Sequence, residues 1–125
     1  MGMVETQRMQ KRSFDSPDEQ RPAGKARADI VNLGNVTMMR ITAQPGWRWS
    51  KDVKPITKTE SCQAPHLQYM VSGRMHVLMD DGSEEEFGPG DVLVAPPGHD
   101  AWVVGNETVV AIDISGSGVW ARPAQ

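Results

Sequence analysis

Short apolar runs separated by turn residues make up the chain from about residue 29 onward. The clearest hairpin pattern is the polar turn Asp80-Asp81-Gly82-Ser83, which joins the alternating segment 74–79 to the charged segment 84–87. About nine short strands with no helical periodicity are typical of an antiparallel sandwich or barrel. The predicted strands are residues 36–42, a short strand containing Trp47 and Trp49, and residues 57–63, 66–72, 74–79, 84–87, 92–95, 101–104 and 108–114.

This pattern predicts one all-β domain with a tail at each end. Residues 28–118 are expected to form an antiparallel sandwich or a small antiparallel β-barrel; closing the sheet into a barrel would remove its exposed edges and enclose an interior that can hold a ligand. Residues 1–27 are rich in polar residues and proline and show no period. We therefore expect a flexible N-terminal tail or arm there, anchored by Phe14. Residues 119–125 are expected to form a C-terminal tail.

Composition narrows the choice of partners and compartment. The chain has 13 Lys and Arg against 16 Asp and Glu, a net charge of -3, which argues against nucleic acid as the main partner. No apolar run approaches the roughly 20 residues that span a bilayer, so no membrane partner is expected. The single cysteine, Cys62, rules out an internal disulfide and is typical of a reducing compartment. We therefore expect a cytoplasmic protein.

One segment, residues 60–73, resembles the first sequence motif of the cupin superfamily. That motif places two histidines and a glutamate at fixed distances before a glycine. Here Glu60, Cys62 and His66 occupy the three positions, and Gly73 follows at the expected distance. The spacing is that of a cupin, but the ligand types are altered.

A second segment resembles the second cupin motif. Gly90 and Pro96-Pro97-Gly98 match it, Ala101 occupies the usual histidine position, and His99 lies two residues earlier. The resemblance implies an RmlC-like jelly roll, also called a double-stranded β-helix, of the small single-domain bacterial kind. The segments shared with such cupins are Pro45-Gly46-Trp47-Arg48-Trp49-Ser50, Ser61-Cys62-Gln63, Ser72-Gly73-Arg74, Asp80-Asp81-Gly82 and Pro96-Pro97-Gly98-His99-Asp100-Ala101-Trp102.

The resemblance also implies a metal site inside the barrel. Glu60 and Cys62 lie two residues apart, so on a strand they share a face, which the cupin register turns inward. His66 would point into the same space, and His99 at the barrel mouth would supply a fourth ligand. Carboxylate, thiolate and imidazole together suit zinc best, with iron, nickel or copper as alternatives. If the altered motif has lost its metal, Glu60 and His66 would hydrogen-bond an organic ligand instead.

Further residues are candidates for a pocket or for proton transfer. Trp47, Trp49, Gln68 and Trp102 are expected to line a pocket around the polar site, although packing at a barrel end would explain the tryptophans equally well. The candidate catalytic acids or bases are Glu60, Tyr69 and Asp100. His76 alternates with apolar neighbours and is expected at the surface or an interface.

Two functions are consistent with these residues, both directed at an unknown small polar molecule. The first is a metal-dependent enzyme, such as an isomerase, lyase or oxygenase, and the second is a non-catalytic binding or sensing protein with or without metal. A purely structural role is a third, weaker option. We also expect a homodimer, in which a second copy covers apolar residues such as Val119 and Trp120.

Overall fold

The computed structural model describes residues 8–114 and 120–123. Within these residues the chain forms nine strands and two one-turn helices. The strands are β1 (Glu19–Ala23), β2 (Ala26–Leu33), β3 (Val36–Ala43), β4 (His66–Ser72), β5 (Arg74–Met79), β6 (Glu84–Phe87), β7 (Val92–Ala95), β8 (His99–Val104) and β9 (Val109–Asp113), and the helices are α1 (Trp49–Asp52) and α2 (Lys54–Thr57).

The strands form two antiparallel sheets. The larger sheet has the order β1-β2-β3-β9-β4-β7, and the smaller has the order β6-β5-β8. Both sheets contribute buried side chains to a single hydrophobic core. The predicted all-β cupin jelly roll is confirmed, but the two sheets are not hydrogen-bonded into a closed barrel. No helix among the described residues is long and apolar enough to cross a bilayer.

Strict alternation along β4 and β8 decides which side chains reach the interior. On β4, His66, Gln68 and Met70 are buried while the residues between them face outward. On β8, His99 and Ala101 are buried in the same way. Because side chains alternate between the two faces of a strand, the histidine at the first position of each strand points into the core.

The segment between β3 and β4 is helical where strands were expected. Helix α1 begins at Trp49, with the Asp52 carboxylate accepting a hydrogen bond from the Arg48 backbone N–H. Helix α2 contains Pro55 in its first turn and ends at Thr57, and the next residue, Lys58, caps it with a left-handed φ of 60°. The prediction of strands around Trp49 and over residues 57–63 is therefore wrong. Of the predicted strand over residues 57–63, only an isolated bridge between Cys62 and His99 is present.

The predicted N-terminal tail also needs correction, because residues 19–27 belong to the larger sheet. Strand β1 pairs along its length with β2, and its inward positions are Arg21 and Ala23. The guanidinium of Arg21 is buried and donates a hydrogen bond to the Trp120 carbonyl at 2.7 Å. A charged or small residue at each inward position conceals the alternation that marks a strand. Phe14 does pack against the sheet, with the Arg40 guanidinium 5.4 Å from its ring centroid.

The C-terminal segment differs from the expected tail as well. Trp120 is only 2% exposed and belongs to the core, so it is not the surface residue that a partner would cover. Val119, the other residue named for such a contact, lies outside the described residues.

Candidate metal centre

Three buried side chains with metal-binding atoms come together in the core. Cys62 lies in the loop before β4, and His66 and His99 are the first residues of β4 and β8. One ligand atom from each of the three lies within 4.8 Å of the others. The motif spacing in the sequence predicted all three as candidate metal ligands, and the structure brings them together.

Backbone contacts join the Cys62 loop to the start of β8. The Cys62 N–H donates to the His99 carbonyl at 2.7 Å, and the Gly98 N–H donates to the Cys62 carbonyl at 2.7 Å. Gly98 has a φ of 97°, which residues other than glycine rarely adopt. This left-handed turn brings the His99 side chain back over the core toward Cys62.

His66 is oriented by a buried carboxylate behind it. Its Nδ1 hydrogen-bonds to Asp113, the fully buried last residue of β9. Its other nitrogen, Nε2, lies 3.9 Å from the Cys62 sulfur. Gln68 donates to the same Asp113 oxygen at 2.9 Å and so supports the carboxylate. A carboxylate behind a histidine fixes its ring orientation and is the usual support of a metal-binding imidazole.

His99 is held in an equivalent way. Its Nδ1 lies 2.8 Å from the Pro96 carbonyl oxygen, which can only accept a hydrogen bond. Nδ1 therefore carries the proton, and Nε2 is left as the ligand atom. Since the same holds for His66, both imidazoles present Nε2 to a common point beside the Cys62 sulfur.

Electrostatics favour a deprotonated sulfur at this point. Burial disfavours the Cys62 thiolate, but the facing imidazole of His66, with His99 nearby, outweighs burial and lowers the pKa of Cys62 to about 6. Burial also disfavours charge on His66, but Asp113 and Cys62 outweigh it and raise the pKa of His66 to about 9. At neutral pH the metal-free pair is a thiolate beside an imidazolium.

The three side chains open into a small, mostly apolar cavity of about 30 Å³. Residues of both sheets and the loop before α1 form its walls. Among the pocket residues expected from sequence, Trp47, Trp49 and Gln68 line this cavity, and Trp120 joins them.

Trp102, the fourth predicted pocket residue, lies outside the cavity. It faces outward from β8, stacked on the His76 ring at a centroid distance of 4.7 Å. The Arg48 guanidinium covers the Trp102 ring at 4.3 Å. His76 also hydrogen-bonds to Glu84 at 2.5 Å, so it belongs to this outer stack and not to the metal centre.

The structure does not bring Glu60 to the cluster. Its side chain is 97% exposed and faces Lys54, with 3.5 Å between Nζ and Oε1. The two-residue periodicity of a strand does not apply here, because Glu60 lies in an irregular loop.

The other proposed acids and bases are also outside the cavity. Tyr69 faces outward from β4 and is half exposed. Asp100 accepts hydrogen bonds from the Arg48 side chain and from the Ser50 backbone N–H.

Sequence reasoning missed Asp113, although the chain carries a sign of it. The segment Val109-Val110-Ala111-Ile112-Asp113 alternates, and a carboxylate at its inward end must have a buried partner. That partner lies 47 residues earlier. The β4–β9 pairing, which sets Gln68 opposite Asp113, determines it.

Comparison with known proteins agrees with this architecture. The sequence profile of the EutQ-like cupin domain matches residues 34–119, more than half of the chain. The chain belongs to the EutQ-like cupin family. The predicted membership of the cupin superfamily is therefore confirmed. No curated protein matches this cupin at a significant level.

Solved structures share the cupin fold at low sequence identity. A protein of unknown function from Rhizobium leguminosarum is 22% identical, with a TM-score of 0.63 and coverage of 87% of this chain and 97% of its own. The polyketide cyclase RemF from Streptomyces resistomycificus is 16% identical, with a TM-score of 0.60 and coverage of 87% and 80%. A cupin-like protein from Thermotoga maritima is 16% identical, with a TM-score of 0.54 and coverage of 78% of each chain. Such identities establish the fold alone.

Proposed function

We propose that this cupin binds one divalent transition metal through Cys62, His66 and His99, and holds a small molecule beside it in the cavity. The observation that carries the proposal is the orientation of the two imidazoles. Asp113 and the Pro96 carbonyl occupy both Nδ1 atoms, which leaves both Nε2 atoms for a metal.

The donor set fits zinc best. Zinc binds thiolate sulfur at about 2.3 Å and imidazole nitrogen at about 2.0–2.1 Å, so two donors of one tetrahedral site lie about 3–4 Å apart. The 3.9 Å between the Cys62 sulfur and His66 Nε2 falls in that range. Iron, nickel and copper accept the same atoms and are the alternatives. Three protein ligands would leave one position open to a small molecule.

The cavity favours ligand binding over enzymatic turnover. Among the described residues that line it there is no Asp, Glu, Lys or Tyr to serve as a general acid or base. The three carboxylate or phenol candidates from the sequence lie elsewhere. Bound zinc would supply Lewis acidity, and the chain's own contribution is to orient the two imidazoles and exclude water with apolar walls.

Metal content measured on purified variants tests the proposal. Protein grown in metal-supplemented medium and purified without chelator or metal affinity resin should carry about one zinc per chain by mass spectrometry. His66→Ala and Cys62→Ser should each reduce the content by about tenfold or more, since either loss leaves only two ligands.

Two matched controls sharpen this test. His76→Ala removes the histidine of the outer stack, and Glu60→Ala removes the carboxylate that the motif spacing suggested. Both should retain the wild-type metal content. Equal content in wild type, His66→Ala and Cys62→Ser would place the metal elsewhere, and no metal in wild type would overturn the proposal.

A further inference from the structure

Of the three proposed ligands, Cys62 is the one that belongs to none of the nine strands. His66 and His99 begin β4 and β8, and each has a partner on Nδ1 that orients its ring. Cys62 lies in the irregular segment between α2 and β4, where strand geometry does not fix the direction of its side chain. Contacts from other parts of the chain must therefore keep the sulfur beside the two imidazoles.

The residue before the cysteine, Ser61, makes such a contact. Ser61 is 6% exposed, and its hydroxyl donates a hydrogen bond to Asp80 Oδ2 at 2.8 Å. Asp80 is the first residue of the turn that joins β5 to β6, 19 residues farther along the chain. The Ser61 hydroxyl also accepts a hydrogen bond from Gln63 Nε2 at 3.1 Å, but Gln63 belongs to the same loop. Asp80 therefore ties this loop to the smaller sheet.

The same aspartate also contacts the turn that leads into His99. Its backbone N–H donates to the Gly98 carbonyl at 2.8 Å, and the Gly98 N–H donates in turn to the Cys62 carbonyl at 2.7 Å. Its carboxylate lies so close to Gly98 that a Cβ at that position would be 3.0 Å from Oδ2. Asp80 thus connects the two segments that carry Cys62 and His99.

We propose that Asp80 is a positioning residue for the metal centre, which holds Cys62 against the two imidazoles through its hydrogen bond to Ser61. This inference rests on the metal-binding function proposed above. Ligand distances in a zinc site vary by only about 0.2 Å, so a loop that moves the sulfur by about 1 Å loses the bond. A hydrogen bond to a carboxylate is about twice as strong as one between neutral groups, which suits this task.

The first test needs no metal. In the metal-free protein, iodoacetamide should alkylate Cys62 about tenfold faster in Ser61→Ala and in Asp80→Ala than in wild type, because the loop opens more often. The double variant should react no faster than either single variant, since both changes remove the same hydrogen bond. Asp81→Ala is the matched control. That carboxylate lies in the same turn but accepts hydrogen bonds from Ser83, so its loss should leave the rate unchanged.

The second test is spectroscopic. Co²⁺ accepts the same thiolate and imidazole donors as zinc, and a thiolate bound to Co²⁺ gives a sulfur-to-metal charge-transfer band. At cobalt saturation this band should weaken in Ser61→Ala and Asp80→Ala and keep its wild-type intensity in Asp81→Ala. A merely structural role of Asp80 would lower the melting temperature without changing the band.

The outcomes separate this inference from the metal proposal. Wild-type alkylation rates in both single variants would overturn it, as would a charge-transfer band of wild-type intensity in both. A double variant whose rate reflects the product of the two single effects would show that Ser61 and Asp80 act separately. If the protein binds no metal, the metal proposal fails, and the alkylation rates still decide whether Asp80 holds Cys62. Should Asp80→Ala fail to fold, Asp80→Asn keeps the shape of the side chain and takes its place.

Discussion

We infer that Asp113 is a positioning residue for the metal centre, because it hydrogen-bonds to Nδ1 of His66, on the side of the ring away from the metal-facing Nε2. It is buried, and it accepts hydrogen bonds from His66 and Gln68. Asp113→Asn keeps the size of the side chain but replaces one acceptor oxygen with a donor. We expect zinc affinity to fall about 10–100-fold, the usual effect of losing such a support.

Competition with a chromophoric zinc chelator measures this change. Asp100→Asn is the matched control, since that carboxylate binds Arg48 outside the cavity and should leave the affinity unchanged. An Asp113→Asn protein that binds zinc within twofold of wild type would contradict a positioning role.

Proton release on metal binding gives a second prediction at the level of residues. The pKa of His66 is raised to about 9, because Asp113 and Cys62 outweigh burial, so His66 is protonated in the metal-free protein at neutral pH. The pKa of Cys62 is lowered to about 6, mainly by His66 acting against burial. Between these values a metal must displace the proton of His66, but Cys62 is already a thiolate.

Affinity should therefore weaken as pH falls from 9, by about tenfold per unit, and more steeply below pH 6 where Cys62 is also protonated. At pH 7.5, titration calorimetry in buffers of different ionisation enthalpy should show about one proton released per zinc. Release of no protons at that pH would show that His66 is neutral before the metal arrives.

The sequence predicts the metal-facing residues better than their support. Cys62, His66 and His99 lie within or beside two motifs of fixed spacing, so local pattern was sufficient to name them. Glu60 was misplaced because motif spacing does not reveal whether a segment is a strand or a loop. Asp113 could not be paired with His66, because strand register across 47 residues is a tertiary property.

At the level of elements, strands joined by tight turns were predictable and those with unusual inward residues were not. The turn Asp80-Asp81-Gly82-Ser83 joins β5 to β6 as expected. Strand β1 cannot be recognised from the sequence pattern, because Arg21 occupies an inward position. The charge of Arg21 is compensated there by Glu19 and by the Trp120 carbonyl. Such compensation depends on residues far along the chain and is not visible locally.

Truncation of the N-terminus distinguishes the tail from the sheet. Deleting residues 1–12 should leave the melting temperature within about 2 °C of wild type, because that cut spares every residue of β1 and the Phe14 contact with Arg40. Deleting residues 1–24 removes β1 and the buried Arg21, and should lower the melting temperature by at least about 5 °C.

Differential scanning calorimetry of the two truncated proteins measures both effects. A large drop on removing residues 1–12 would show that the first residues are an integral part of the structure. No drop on removing residues 1–24 would show that β1 contributes little to the stability of the sheet.

At the scale of the whole molecule, one outer face is apolar without interruption. It consists of the outward side chains of β4, β7 and β9 together with the residue that follows β9, and none of these side chains is charged. The residues of this face are Leu67, Tyr69, Val71, Val92, Val94, Val110, Ile112 and Ile114. Val94 is 73% exposed and Val92 is 66% exposed. The outer face of the smaller sheet carries Arg74, His76 and Glu86 instead. Apolar patches of this kind mark contact surfaces.

We expect a second copy of the chain to cover this face, which preserves the predicted homodimer but moves its interface away from Trp120. A patch without charges is complementary to itself, and two-fold contacts between identical patches are the commonest oligomer interfaces. Light scattering at micromolar concentration should give a dimer for wild type and a monomer for Val94→Lys, because a buried lysine opposite its own copy is strongly unfavourable. Val104→Lys, the same change on the outer side of β8, should leave the dimer intact. A wild-type monomer, or a dimer that survives Val94→Lys, would show that this face is not the interface.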